Sequence, residues 1–149
     1  FLSILYPKNE TRFIILCENR NRLIAQRHEF IEYWYAGGKN TKQLQFIPRP
    51  KLPFFYLFDW DFDGLNIYTD IKSKYFPTIK AFIPDNFELL MENQEDVKEH
   101  YSKWKNNNCF QHLNETEKAI ATVLFDTDSI IEEQKIILNK NNLSINGIN

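Results

Sequence analysis

Cysteine is nearly absent from this 149-residue chain, which has only Cys17 and Cys109. One sits in an apolar run and the other in an Asn-rich stretch, a pair that gives neither a disulfide framework nor metal-ligand spacing. A reducing, cytoplasmic setting is the expectation. Also missing is any apolar stretch near the roughly 20 residues that a membrane-spanning helix needs, because Lys, Glu and Asn interrupt every hydrophobic segment. A soluble protein with no membrane partner is expected. The sequence opens on Phe1, with neither a start methionine nor a visible secretory or transit segment, and reads as a piece of a larger protein. No internal repeat is visible.

What is present is enough for one globular domain with a real core: 43% of the residues are hydrophobic. The formal net charge of -2 conceals an asymmetry. All five arginines, Arg12, Arg20, Arg22, Arg27 and Arg49, lie in the first third, which is basic, while the remainder is acidic. Cations that hold phosphates beside carboxylates that hold a metal would suit an enzyme acting on a polyanion. A solvated mixture of surface charges is the plainer explanation.

Strand and helix patterns alternate. Residues 12–17 (RFIILC) form a short apolar run, which predicts a buried strand ending at Glu18. Residues 20–28 suggest a short polar helix or turn, and 29–36 a second strand closed by Gly37 and Gly38. A short helix over 39–46 is stopped by Pro48 and Pro50. Residues 52–58 (LPFFYLF) predict a strand buried on both faces, as in the centre of a parallel sheet. Asp63 then reads as the cap of a helix over 64–75, and 78–83 as a fourth strand. The expected fold is α/β, a roughly four-stranded, mainly parallel sheet flanked by helices over residues 1–93, with a small helical C-terminal extension over 94–149. Two capping-box patterns, Asn114 with Glu117 and Ser129 with Glu132, predict short helices near 115–125 and 130–139, followed by a frayed Asn-rich tail from Lys140.

Functional groups in an open parallel sheet collect at the carboxyl ends of its strands. Glu18 follows the first predicted strand, and Asp59 and Asp61 follow the third. Residues two apart on an extended segment point the same way, so the two aspartates can face one ion. Clustered carboxylates repel one another, and Mg²⁺ supplies the missing positive charge with a preference for oxygen ligands. Singly, Glu18 is more simply a surface or helix-start residue.

The order ILCEN, the Gly37-Gly38 turn and then FDWDFDGLNI resembles the Toprim domain. Within that superfamily the spacing Asp59-x-Asp61-x-x-Gly64 is similar to the topoisomerase VI A subunit and, more closely, to the JetD nuclease subunits of Wadjet anti-plasmid systems. The likeness extends to YFPTIKAFIPD, with Pro77 and Asp85, and to Glu133-Gln134. It implies a metal-dependent DNA endonuclease, with Mg²⁺ or Mn²⁺ on Asp59, Asp61 and Glu18 and with Asp85 as a further candidate ligand. Glu18 would also be an acid/base candidate near the attacked phosphate. Arg20, Arg22 and Lys39 are the candidate phosphate contacts. DNA, other domains of the same protein and a condensin-like complex are the implied partners. Phe58 and Trp60 stand where that family usually has Gly and Ile, and Lys135 where it commonly has an acid. The winged-helix tyrosine of the topoisomerases is not visible, which leaves hydrolytic nicking or cutting. Two other readings are a degenerate Toprim module that only positions DNA or a partner, and a haloacid-dehalogenase-like phosphatase using Asp61 and Asp63. Against the second, Leu65 stands where that motif needs Thr or Val.

Overall fold

The computed structural model describes residues 2–24, 26–38, 40–97 and 102–148. They form an α/β fold around a mixed, mostly parallel five-stranded sheet. Its strands are β1 (Ser3–Leu5), β2 (Phe13–Cys17), β3 (Ile31–Tyr35), β4 (Phe54–Leu57) and β5 (Lys80–Ala81), in the spatial order β1-β3-β2-β4-β5. Helix α1 (Phe62–Lys74) lies between β4 and β5 in sequence, and 3-10 helices occupy Arg20–Ile24 and Thr41–Phe46. Among the described residues no helix is long and apolar enough to cross a membrane.

The chain divides into two compact units, residues 1–58 with 70–82, and residues 59–69 with 83–149. The five-stranded sheet belongs to the first. β2 lies at its centre, paired in parallel with β3 (Ile15 opposite Tyr33) and with β4 (Ile15 opposite Phe55). Continuous apolar runs are what such doubly flanked strands require, and Ile14 to Cys17 and Phe54 to Phe58 are all buried. Aromatic edges lock β4 in place: Phe54 meets Trp34 and Phe76 in T-shaped contacts, and Phe55 meets Phe82.

The sheet has a fifth strand beyond the four expected. β1 pairs antiparallel with β3, Ser3 opposite Tyr35, and three residues are too few to show a period in sequence. Long-range contacts hold the sheet unit together. Arg27 donates from Nε to the Tyr6 carbonyl and from Nη2 to the Pro7 carbonyl, at 2.9 and 2.6 Å. Arg12 lies over the Phe30 ring, 4.0 Å from its centroid, and Arg49 Nε donates to the Tyr75 carbonyl at 3.1 Å. Three of the five arginines thus fasten the sheet unit to itself.

The second unit contains α2 (Phe87–Leu90), α3 (Glu115–Asp126), α4 (Lys140–Ile145) and a two-stranded antiparallel sheet of β6 (Glu92–Asn93) and β7 (Ser129–Ile130). The Asn114–Glu117 capping box forms as expected at the start of α3. The second predicted capping box does not. Ser129 lies in β7, with its hydroxyl directed to the Thr127 carbonyl, and residues 133–135 form a 3-10 helix in place of the helix expected over 130–139. Pairing with β6 and the β-branched Ile130 and Ile131 override the local signal. The C-terminal extension is therefore not purely helical.

Nor is the tail frayed. Asn139 caps α4, accepting from the Asn142 backbone N–H. The Asn146 amide bonds both backbone groups of Ile83, accepting from N–H at 2.7 Å and donating to the carbonyl at 2.9 Å. Asn142 accepts from the Asp85 N–H and donates to the Ile137 carbonyl, and Leu143 and Ile148 are buried. Side-chain amides carry one donor and one acceptor group and so replace a strand partner. A tail rich in asparagine is thereby anchored.

Candidate metal-binding carboxylates

In the sheet unit, the chain runs from β2 to β3 on one side and then to β4 on the other, so the direction of winding reverses at β2. The carboxyl ends of β2 and β4 lie side by side there, Cys17 opposite Leu57, and the Glu18 backbone N–H donates to the Leu57 carbonyl at 2.9 Å. Such a reversal is where open α/β sheets leave a crevice for ligands. Glu18 is half-buried, Arg20 is exposed and Arg22 is half-buried, the two arginines being in the 3-10 helix that follows. Lys39 lies outside the described residues. Tyr33 is pushed up to about 12 by burial and by the neighbouring Cys17, with the Arg22 cation opposing. Arg22 therefore sits within electrostatic reach of Tyr33.

The second unit holds Asp59, half-buried, and Asp61, which is 5% exposed. Each is oriented by a backbone donor. Asp59 Oδ1 accepts from the Glu133 N–H at 2.6 Å, and Asp61 Oδ1 from the Gly64 N–H at 2.7 Å. Helix α1 begins at Phe62, so Asp61 is its N-cap and Gly64 its third residue. Asp63, expected as the cap, lies instead in the first turn, where its charge meets the positive end of the helix. Between the two aspartates, Trp60 makes an isolated antiparallel bridge with Ile131: N–H to carbonyl at 2.8 Å and the reverse at 3.2 Å. No local signal in the sequence announces that the acidic segment is paired to residues 131–133. Asp85, half-buried, follows β5 and is held through its backbone N–H by Asn142.

Among the described residues no group of three or more His, Cys, Asp or Glu side chains is arranged to hold a metal ion. The chemistry of Asp59 and Asp61 nevertheless fits Mg²⁺ or Mn²⁺. Their oxygens are hard donors, Mg²⁺ is commonly held by one or two carboxylates with water and substrate oxygens completing its shell, and ligating carboxylates are themselves hydrogen-bonded. No protein-family model matches this chain, and no curated protein matches it.

Proposed function

We propose that this chain is a Toprim-type module that cleaves DNA phosphodiesters with the aid of a divalent cation bound through Asp59 and Asp61. The observation that carries the reading is the double anchoring of this pair: two carboxylates, two residues apart just beyond a buried strand, each fixed by a backbone N–H. Such fixing suits ligands whose orientation matters. The resemblance to Toprim domains adds Glu18 as an acid/base group and Asp85 as a further candidate ligand. Mg²⁺ or Mn²⁺ bound there would polarise the phosphate and lower the pKa of an attacking water. Arg20, Arg22 and Lys39 would contact phosphates, and the slightly acidic chain would depend on other domains or a condensin-like assembly to hold the duplex.

The test is plasmid nicking by the full-length protein, with and without EDTA, beside Asp59→Ala. Cation-dependent nicking that Asp59→Ala abolishes is expected. Equal cutting by the variant would remove the catalytic assignment, and cation binding without cutting would leave a module that only positions DNA or a partner.

A further inference from the structure

Asp59 is oriented by residues more than seventy positions away in the chain, since its carboxylate accepts from the Glu133 N–H across a sequence separation of 74. The Trp60–Ile131 bridge fixes the main chain beside it, and both of those residues are 0% exposed. Bonds in dry surroundings do not exchange readily with water, so the bridge sets the position of the peptide and the Glu133 N–H selects one rotation of the carboxylate. Glu133 itself is 3% exposed.

We infer that Glu133, through its peptide N–H, is a positioning residue that sets the affinity of Asp59 for a divalent cation. This rests on the proposed reading of Asp59 and Asp61 as cation ligands. An N–H donated to a ligating carboxylate fixes which oxygen faces the ion, and loss of such an outer partner typically weakens metal binding about 10–100-fold.

The backbone at this point permits a selective substitution. Glu132 is extended, with φ -74 and ψ 134, the conformation that a following proline requires. Glu133 opens the 3-10 helix Glu133–Lys135, and the first helical position tolerates the missing N–H of proline. Glu133→Pro therefore deletes the donor, and its ring Cδ takes the place of the amide hydrogen that faces Asp59 Oδ1. Glu133→Gln and Glu133→Ala keep the N–H and separate out the charge and the side chain.

Mn²⁺ binding to the whole protein is measured from loss of the free-ion paramagnetic resonance signal, with thermal melts alongside. Glu133→Pro should bind about 10–100-fold more weakly than wild type, and more weakly than Glu133→Gln and Glu133→Ala, which keep the N–H. Wild-type affinity in Glu133→Pro would overturn the inference and leave the cation site standing. Weakening in Glu133→Ala equal to that in Glu133→Pro would assign the effect to the side chain and overturn it too. Absence of Mn²⁺ binding in the wild type would remove both. If Glu133→Pro does not fold, amide hydrogen exchange decides: the Glu133 N–H should exchange at least about tenfold faster in Asp59→Ala than in wild type, and an unchanged rate would overturn the inference.

Discussion

The Gly64 backbone passes so close to Asp59 that a Cβ on Gly64 would lie 1.8 Å from the Asp59 carbonyl oxygen. The same Cβ would lie 3.1 Å from Asp61 Oδ1. The glycine is therefore required by space and not by a left-handed backbone, and the contact ties the first turn of α1 to the acidic segment. Neither the carbonyl nor the capped turn is a flexible end that can swing away. Gly64→Ala should destabilise the protein by about 2–3 kcal/mol, measured by urea denaturation, and should weaken the Mn²⁺ response through displacement of Asp59. Wild-type stability and metal response together would show that the turn yields.

Asp61 caps α1 and, under the proposed function, also binds the cation, and substitution can separate the two. As the N-cap of α1 its oxygen is replaceable by the oxygen of Asn, which ranks equally at that position, whereas Ala loses about 1 kcal/mol. For the proposed cation binding its charge would not be replaceable. Mn²⁺ should raise the melting temperature of the wild type by mass action. Asp61→Asn should melt near the wild type without metal and lose most of the Mn²⁺ shift. Asp61→Ala should lose both, and a full shift retained in Asp61→Asn would limit Asp61 to capping.

Glu117 is fully buried, and its two oxygens are divided between neighbours: Oε2 accepts from the Tyr68 hydroxyl at 2.6 Å and Oε1 from the Asn114 N–H at 3.1 Å. Removing a donor from a buried acceptor incurs its desolvation cost, about 1–3 kcal/mol. Tyr68→Phe should lower stability by that amount in urea denaturation. A change below about 0.5 kcal/mol would mean that the bond contributes little.

His28 holds the chain entering β3, its Nδ1 accepting from the backbone N–H groups of Phe30 and Ile31 at 3.0 and 3.2 Å. Burial lowers its pKa below the ordinary 6.5, against the raising influence of Glu29. A base with a depressed folded pKa binds fewer protons folded than unfolded, so its contribution is complete above pH 6.5 and is lost as the pH falls from there through the folded pKa. Stability measured by denaturant midpoint should decline through that acid window. His28→Asn, which keeps an acceptor and does not titrate, should flatten the decline, and an identical pH profile in the variant would rule His28 out as its source.

Strand β4 was legible in the sequence because five consecutive apolar residues, Phe54 to Phe58, are needed only where a strand is covered on both faces. The start of α3 was legible because a capping box is closed within four residues, Asn114 to Glu117. The acidic residues themselves, and their place just after strands, could also be read directly. The cap of α1 was misplaced by two residues, since Asp61 and Asp63 both suit the role and only the path of the backbone selects between them. β1, β7 and the anchored asparagine tail were beyond local reading. Their partners are Tyr35, Glu92 and Ile83, which lie outside any local window of sequence. The sequence alone determined which carboxylates are available and that strands and helices alternate, because burial patterns and caps are local physics. Only the tertiary structure decided how Asp59 is held, because the donor that orients it, the Glu133 N–H, is a backbone group identical in every residue but proline and acquires its meaning only from where folding brings it.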